Sequence, residues 1–385
     1  MAVPILHVLE ATTGGTRRHL VDLVMHLDPD RFDVAVACAT RRDPGMVADL
    51  ERMRAAGADV HIVDMVRSID PLHDASAARR LRGLMRARPY QIVHTHSSKA
   101  GMLGRYAAYR EGVPCLVHSP HVFAFQMQGP AALAAFYAAC ERWAARFTHH
   151  IVCVSQAEMQ AARARRICDP DQLVLIENGI DAGQYVDVAR GTFRNELDLP
   201  AEARLIGVIG RLCPQKGQLD LVAAAHDIRE RHPAAHFVFV GSGPDERRIK
   251  QVIARRGWEA CFHFVPTHDD MPRVYADLDI VVQPSRWEGM PYAPLEAMAA
   301  GRAVVATRTG GVPDMIVDGE SGVLVSVGDP PGLAQSITAL LADPARTEAL
   351  GAAARARVQE HYTLKRMVSQ IEALYTGCLE PSSSA

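Results

Sequence analysis

Short runs of apolar and β-branched residues alternate along the chain with longer stretches whose apolar residues recur at helical spacing. Strands that alternate with helices in this way are typical of a parallel α/β sheet. In the first half, the runs predict seven strands: Val3–Leu9, Asp33–Ala39, Val60–Val63, Ile92–His94, Cys115–His118, His150–Val154 and Leu173–Glu177.

The same alternation returns in the second half of the chain. It predicts six further strands: Leu205–Gly210, His236–Gly241, Phe262–Val265, Ile280–Gln283, Ala303–Ala306 and Gly322–Val325. Two helical segments follow, Ala345–His361 and Leu364–Leu374. The pattern therefore predicts an α/β fold of two Rossmann-like domains with different sequences.

A polar segment without a convincing strand separates the two sets and predicts an interdomain linker over 186–203. The N-terminal domain then spans 1–185 and the C-terminal domain 204–361. We expect a last helix over 362–378 to pack back across the hinge, and residues 379–385 to form a flexible tail. Because open α/β sheets bind ligands beyond the carboxyl ends of their strands, the domains are expected to face each other across a cleft.

The composition is that of a globular protein. Of 385 residues, 48% are hydrophobic and 22% are charged, which gives enough apolar material for two cores and no disorder signature. The formal net charge of -2 argues against a nucleic-acid-binding protein, because such binding needs a concentrated basic face. We expect the partner to be a small or discrete molecule.

The eight cysteines are scattered, with no C-x-x-C pair and no Cys/His spacing that suits zinc. We interpret them as reduced, mostly buried thiols of a cytosolic protein. The N-terminus lacks the pattern of a signal peptide, and no apolar run approaches the ~18 residues of a membrane span. These features predict a cytoplasmic protein.

Two arginine-rich segments leave membrane contact open. Arginines cluster over 79–88 on one predicted helix, and Arg142 and Arg146 lie near Trp143 and Phe147 on another. Peripheral contact with the anionic lipid heads of the inner membrane face is one interpretation of these patches. A solvated arginine surface is the other.

The most informative stretch for chemistry is 285–301, which follows a buried strand and opens a helix. Pro294 suits the first helical position, so the N–H groups over Leu295–Ala297 are expected to be the unbonded donors of the helix start. Such donors bind anions, and Glu296 in the first turn could bond ribose hydroxyls. Glu288 lies eight residues earlier in the loop. A purely structural role for both carboxylates is the alternative.

A second motif is the turn over 210–217, which follows a strand and carries Arg211 and Lys216 five residues apart. The chain has only four lysines among its 42 basic residues: Lys99, Lys216, Lys250 and Lys365. A lysine at a strand-to-helix turn of so arginine-rich a chain indicates a compact charge for phosphate. A solvated surface lysine is the alternative.

Weaker signals lie at other strand ends. Gly14 and Gly15 precede a helix, and Gly241 follows a strand, so each allows close backbone approach to a ligand. His121 lies just after a predicted strand, and Phe123 and Phe125 follow it as candidates for the wall of an acceptor pocket. A structural histidine is the default interpretation of His121 by itself.

Together these motifs resemble glycosyltransferase family 4, a retaining family of the GT-B fold, over nearly the whole chain. Its Glu-x7-Glu pair matches Glu288 and Glu296, with Gly289, Met290, Pro291 and Leu295 as matching surroundings. The resemblance implies that Glu296 binds the ribose and that Glu288 binds the transferred sugar. It also implies that Arg211 and Lys216 neutralise the diphosphate.

The resemblance extends to the N-terminal half. Gly14 and Gly15 match the Gly-Gly loop of the family, and His121 matches a histidine that lies beside the transferred sugar. Many relatives have glycine after this histidine, where Val122 stands here. His94 and Lys99 lie in a segment similar to one that borders the acceptor side in polysaccharide-assembling members.

The resemblance implies a retaining, metal-independent hexosyltransferase without a cofactor, in cell-surface or exopolysaccharide assembly. UDP-sugars are the favoured donors and GDP-sugars come next; the acceptor is a glycan, a lipid-linked molecule or a small molecule. In support of metal independence, no Asp-x-Asp metal motif is evident, since Asp277 and Asp279 lie at a helix end and a strand start. A sugar-nucleotide 2-epimerase of similar fold and a non-catalytic partner are the alternatives.

Overall fold

The computed structural model of the chain describes residues 2–41, 43, 45–200, 202–266, 268 and 270–380. They form two compact units. The first comprises the residues up to 178 and those from 365 onward, and the second comprises 179–364. The chain therefore leaves the first unit once and returns to it.

The first unit is built on a parallel sheet. Its strands are β1 (Val3–Leu9), β2 (Phe32–Cys38), β3 (Asp59–Ile62), β4 (Ile92–His96), β5 (Cys115–Ser119), β6 (His150–Cys153) and β7 (Leu173–Leu175). They are ordered β3-β2-β1-β4-β5-β6-β7. The central strands β4 and β5 are buried along their whole length, as expected for a sheet covered on both faces.

Six helices connect these strands: α1 (Gly14–His26), α2 (Gly45–Ala55), α3 (Pro71–Ala87), α4 (Ser98–Arg110), α5 (Ala131–Ala145) and α6 (Gln156–Ala164). Local sequence fixes several of their starts. Asp70 accepts the N–H groups of Leu72 and His73 ahead of α3, and the Ser155 hydroxyl accepts the N–H of Glu158 in α6.

The second unit has a six-stranded parallel sheet. Its strands are β8 (Arg204–Ile209), β9 (Ala235–Val240), β10 (Phe262–Val265), β11 (Ile280–Gln283), β12 (Ala303–Thr307) and β13 (Val323–Val325). The order is β10-β9-β8-β11-β12-β13. All the strands predicted from the sequence are present, with ends that differ by at most two residues.

The helices of the second unit are α7 (Thr192–Glu196), α8 (Gln218–Arg231), α9 (Glu246–Ala254), α10 (Met271–Asp277), α11 (Tyr292–Ala299), α12 (Val312–Met315), α13 (Pro330–Ala342) and α14 (Pro344–His361). None of the helices within the described ranges is long and apolar enough to cross a membrane.

The segment 186–203, which we predicted as a linker, lies inside the second unit. Phe193 is buried, and Asp277 accepts the N–H groups of Gly191 and Arg194. Asp279 binds the guanidinium of Arg194 at 2.7 Å and the N–H of Leu205 at 2.8 Å. The two carboxylates therefore anchor this segment, and the first crossing between the units falls at 178–179.

The last helix, α15 (Leu364–Gly377), carries the chain back to the first unit. Glu372 accepts a 3.1 Å hydrogen bond from the guanidinium of Arg31, and the Tyr375 hydroxyl lies 2.6 Å from His94 Nδ1. Residues 381–385 of the predicted tail lie outside the described residues.

Two of the eight cysteines are paired. Cys115 of β5 and Cys378, just after α15, form a disulfide with 6.0 Å between their Cα atoms. The expectation of reduced thiols throughout is wrong for this pair, because the return of the last helix brings together residues 263 positions apart. Cys38, Cys153, Cys213 and Cys261 are buried free thiols.

Candidate active site

The loops that follow β8 and β11 are bonded to each other in the second unit. Arg286 donates its N–H to Gln215 O at 2.7 Å, and Gln215 Nε2 donates to Trp287 O at 3.0 Å. Gly217 lies at the closest approach, with φ at +65°, and a Cβ there would be 2.0 Å from Pro284 O. Only glycine fits this position.

This contact brings together Lys216 of the first loop and Glu288 of the second. Glu288 Oε1 accepts hydrogen bonds from Lys216 Nζ at 2.6 Å, Ser285 Oγ at 2.7 Å and Gln283 Nε2 at 3.0 Å. Within the described ranges, nothing donates to Glu288 Oε2. One oxygen of a buried carboxylate is thus fixed, and the other remains an acceptor for a ligand.

A second cation lies at the start of the same turn. Arg211 is exposed, and its side chain makes no ion pair or hydrogen bond with the part of the chain that the structure describes. It follows Gly210, whose φ of +138° turns the chain at the end of β8. The turn therefore carries one paired and one unengaged positive charge, an arrangement suited to an anion.

Helix α11 begins at Tyr292, two residues before the start that we predicted at Pro294. Pro291 is the N-cap residue and Pro294 the third helical residue, so neither contributes an N–H. Leu295–Ala297 therefore lie beyond the first turn, and the prediction of unbonded donors over 295–297 is wrong. We had placed Pro294 at the first helical position, but a proline can also occupy a later position of the first turn.

The shift of the helix start moves Glu296 into the second turn, so its predicted place in the first turn is also wrong. Glu296 is buried, and its Oε2 accepts a hydrogen bond from the Tyr275 hydroxyl at 2.6 Å. Leu295 beside it is fully buried. The carboxylate is held on a rigid helix by a partner that the sequence analysis did not single out.

Two glycines near these loops serve chain packing. A Cβ at Gly241 would lie 2.3 Å from Gly210 O, so the close approach that we expected to a ligand is made by the neighbouring loop. Gly310 was not predicted, yet a Cβ there would lie 2.0 Å from Glu288 O. Gly289 and Met290 are buried in the same loop.

Roles for Gln283, Ser285 and Tyr275 were not predicted from the sequence. Gln283 is the only polar residue of β11, and Ser285 follows it by two positions, so a polar end on an apolar strand was the signal. Tyr275 lies in a helix at a core spacing, where nothing distinguishes a carboxylate partner from packing. From the sequence we also expect loop residues near Thr267 to contribute to donor specificity, and Thr267 itself lies outside the described residues.

In the first unit, the candidate residues lie at the carboxyl ends of β1 and β5. Gly14 and Gly15 are exposed at the start of α1, and Gly14 has a φ of +59°. His121 follows β5 with a φ of +53°, and Val122 has a φ of +94°. Glu158 accepts the N–H of Val122 at 2.7 Å and that of Val154 at 2.8 Å.

The residues that we placed on the acceptor side are buried or engaged within the first unit. Phe123 and Phe125 are buried and stacked at 4.8 Å in a core cluster with Met159, so they do not line a pocket. His94 is fully buried, and Lys99 binds both oxygens of Asp74 at 2.7 Å. An apolar pair after a strand is as typical of a core as of a pocket.

Histidines are concentrated in the first unit. Five are fully buried: His7, His19, His94, His96 and His118. Burial lowers the pKa of His7 to about 3 and that of His19 to about 4, because the charged ring loses its hydration. Burial also lowers the pKa of the others and of His121 well below the usual range. These rings are neutral near pH 7.

Comparison with known families covers most of the chain. Residues 13–184 match the family described as Glycosyltransferase Family 4, and residues 189–357 match the one described as Glycosyl transferases group 1. The D-inositol 3-phosphate glycosyltransferase of Salinispora arenicola is 30% identical over 310 residues, which are 74% of this chain and 68% of that protein.

Two full-length likenesses accompany these matches. The UDP-Gal:alpha-D-GlcNAc-diphosphoundecaprenol alpha-1,3-galactosyltransferase of Escherichia coli is 27% identical over 390 residues, covering 97% of this chain and 96% of that one. The solved structure of HepE from Anabaena with UDP-glucose has a TM-score of 0.82 at 22% identity, covering 97% and 99%. These two-domain α/β folds are of the GT-B type.

Proposed function

Because this chain belongs to glycosyltransferase family 4, we propose that it transfers a hexose from a UDP-sugar to an acceptor with retention of anomeric configuration. The observation that carries the proposal is the contact of Lys216 with Glu288 beside the unengaged Arg211. It combines positive charge for a diphosphate with a fixed carboxylate for a sugar hydroxyl. Epimerisation of the donor sugar is the rival reaction.

Each group of the second unit has a proposed role toward the donor. Arg211 and Lys216 neutralise the diphosphate, and the N–H of Ala293 in the first turn of α11 adds a donor at the positive end of the helix. Glu296, held by Tyr275, accepts ribose hydroxyls. Glu288 Oε2 accepts a hydroxyl of the transferred sugar.

The proposed transfer proceeds on one face of the sugar. The departing phosphate oxygen takes the proton of the acceptor hydroxyl as the new glycosidic bond forms. Preorganised cations stabilise the charge that grows on that phosphate, which is the largest catalytic contribution expected. The three donors on Glu288 Oε1 lower its nucleophilicity, which favours this path over a covalent glycosyl-enzyme. His121 is proposed, from the family resemblance, to hydrogen-bond the sugar.

We propose that the reaction needs no metal, since Arg211 and Lys216 supply the positive charge. The carboxylates of Asp277 and Asp279 are committed to backbone N–H groups and to Arg194. Turnover is expected to be unchanged in EDTA. Loss of turnover that magnesium restores would overturn this part of the proposal.

For the acceptor, we propose a lipid-linked diphosphate sugar in cell-surface polysaccharide assembly. The relative from Escherichia coli, whose name gives such an acceptor, aligns over almost the full length of both chains. The D-inositol 3-phosphate glycosyltransferases align over smaller shares of their length, from 61% to 83%. A small phosphorylated acceptor is therefore the second choice, and parallel assays with both acceptor classes decide between them.

Helix α5 supports a membrane-bound acceptor. Leu133, Phe136 and Trp143 are 42%, 49% and 43% exposed along one side of the helix. Arg142 and Arg146 are exposed next to them. Such an apolar stripe flanked by cations suits the interface of an anionic membrane.

The charge of this surface, defined as the exposed side of α5 with Arg146, is not offset. Glu141, the acid of the described helix, is buried and paired with Arg105 at 2.7 Å. The arginines of α3 are offset only in part: Arg82 and Arg86 bind Glu111, and Arg88 just after the helix binds Asp33, whereas Arg79 and Arg80 are exposed. Because the apolar stripe lies beside cations on α5, we propose that α5, and not α3, contacts anionic lipid.

Vesicle co-sedimentation tests this surface. Wild type should sediment with phosphatidylglycerol vesicles at low salt and not with phosphatidylcholine vesicles. Phe136→Ser with Trp143→Ser should abolish sedimentation, whereas Leu72→Ser, which replaces an apolar residue that is 84% exposed on α3, should not. Equal sedimentation of the α5 variant and wild type would contradict the proposal.

Nucleotide binding tests the donor site. In a thermal-unfolding series with UDP, GDP, ADP and TDP, UDP is expected to stabilise wild type, by about 2.7 kcal/mol at about 100 times its dissociation constant. Glu296→Ala should lose the stabilisation, and Glu230→Ala, which removes an exposed acid on α8, should retain it. Absence of stabilisation by every nucleotide would overturn the donor site.

The fate of the sugar then separates transferase from epimerase. With an α-linked UDP-hexose, NMR should detect an α-linked product that requires an acceptor. Release of the 2-epimer without acceptor would identify the epimerase, and a β-linked product would contradict retention.

A further inference from the structure

Three histidine rings of the first unit form a continuous chain. His7 Nδ1 lies 3.1 Å from His96 Nε2, and His96 Nδ1 lies 3.2 Å from His121 Nε2. His7 lies on β1, His96 ends β4 and His121 follows β5, so three adjacent strands supply the rings. Both nitrogens of His96 are thus engaged with a neighbouring ring.

The rings are aligned as in linear hydrogen bonds. The ring centres of His7 and His96 are 5.4 Å apart with 21° between planes, and those of His96 and His121 are 5.5 Å apart with 19°. Each separation exceeds the matching nitrogen distance by about two ring radii. The facing nitrogens therefore lie on the line that joins the ring centres, which is the geometry that a hydrogen bond prefers.

Neutral rings in such a chain all donate their hydrogen bonds in the same direction. A neutral imidazole has one N–H donor and one acceptor nitrogen, so a ring that donates on one side must accept on the other. Burial keeps these rings neutral by lowering their pKa. The tautomers of His7, His96 and His121 are consequently coupled, and all three protons lie on Nδ1 or all three on Nε2.

The inner end of the chain selects the direction. His7 Nε2 is buried and has no hydrogen-bond partner among the described residues. A buried donor without an acceptor is rarer in proteins than an acceptor that is not fully used. The favoured direction therefore leaves Nε2 of His7 without a proton and puts the outermost proton on His121 Nδ1.

The neighbouring histidine rings His94 and His19 hydrogen-bond to other partners. His94 is bonded at Nδ1 by the Tyr375 hydroxyl and at Nε2 by Ser119 Oγ, and His19 Nδ1 is bonded to Asn178 Oδ1. Nothing among the described residues bonds to His121 Nδ1. His121 Nδ1 is therefore the nitrogen through which the row of histidine rings can act on a ligand.

We propose that His96 and His7 are positioning residues that hold His121 in the tautomer with its proton on Nδ1. His121 then presents an N–H donor to an oxygen acceptor such as a sugar hydroxyl or phosphate. The link to catalysis rests on the proposed function, whereas the tautomer does not.

Ring 15N NMR of histidine-labelled protein near pH 7 reads the tautomer directly, because protonated and unprotonated ring nitrogens resonate far apart. In wild type, the Nδ1 atoms of His7, His96 and His121 should all be protonated and their Nε2 atoms unprotonated. A proton on Nε2 of His121, or an unequal pattern among the three rings, would overturn the proposal. This measurement needs no variant to fold.

Variants test the coupling. His7→Leu removes the donor to His96, so the shifts of His121 should move toward a mixture of tautomers, while His7→Asn, whose amide can replace Nδ1–H, should restore them. His236→Leu in the second unit is the control and should leave His121 unchanged. Unaltered His121 shifts in a folded His7→Leu would overturn the proposal.

Activity separates this inference from the proposed function. With the two tautomers equally populated, kcat should fall about twofold with an unchanged donor KM, since only the competent fraction reacts. A tautomer shift without a change in kcat would leave the positioning of His121 intact and refute its role in transfer.

A metal site is the competing account. The ring nitrogens of His7, His94 and His96 lie within 4.8 Å of one another, as do those of His19, His96 and His121. If purified wild type contains one equivalent of zinc and His7→Leu contains none, the hydrogen-bonded chain of rings is overturned. Absence of zinc from wild type, together with the predicted tautomers, supports the hydrogen-bonded chain.

Discussion

The carboxylate of Glu158 accepts the N–H of Val122 at 2.7 Å, at a residue whose φ of +94° is far from the range that β-branched side chains adopt. The carboxylate therefore anchors the turn after His121 at a strained position. Such strain costs of order 1–3 kcal/mol and persists only where the surroundings hold it.

Val122→Gly is expected to raise the free energy of unfolding by about 1 kcal/mol, because glycine adopts this φ without strain. The gain is partly offset by the greater freedom of glycine in the unfolded chain. Urea unfolding measures it. Val47→Gly, at an exposed position of α2, is the matched control and should lower stability. A less stable Val122→Gly protein would show that the valine side chain contributes more than the strain costs.

Glu158 should make stability fall with rising pH. Burial raises its pKa to about 7, above the unfolded value, so its contribution is present below the unfolded pKa and is lost as pH rises through about 7. Wild type should lose about 1.4 kcal/mol between pH 6 and 8 relative to Glu158→Gln. Unfolding curves of both proteins at these pH values measure the difference. Parallel pH curves would contradict the assignment.

The buried histidines should make the first unit sensitive to acid. Their folded pKa values lie below the unfolded value, so the stability of the neutral rings is present above about pH 6.5 and is lost as pH falls. Each such ring removes about 1.4 kcal/mol per pH unit, and five fully buried rings should exhaust a typical stability near pH 5. Circular dichroism across pH 4–8 measures the transition. Retention of native signal at pH 4 would contradict it.

Lys216→Met should lower turnover by about 10²–10³ through lost charge stabilisation. It should also destabilise the second unit by a few kcal/mol, because buried Glu288 loses its cation. Adding Glu288→Gln should restore stability but not turnover. Paired unfolding and kinetic measurements on the single and double variants test this. Equal stability of wild type and Lys216→Met would contradict a structural role for the ion pair.

The sheets were predictable because each strand is a short apolar run between turns. The start of α11 was not, since Pro294 fits the first turn at more than one position. Lys216 contacts Glu288 because β8 and β11 are neighbours in the sheet. The pattern of apolar runs does not reveal the order of the strands in a sheet. The burial of His94 depends on α15, whose Tyr375 lies 281 positions away, and that of Phe123 on how α5 and α6 pack against the loop after β5, which the run pattern does not specify.

The pairing of Tyr375 with His94, and of Cys378 with Cys115, has a consequence for biosynthesis. A ribosome that has released 364 residues has delivered the whole second unit but not the final helix of the first. The sheet of the first unit therefore acquires its last partner only after the second unit has been synthesised. Loss of α15 is consequently a lesion of the first unit, and the later-synthesised second unit is the one able to complete its fold first.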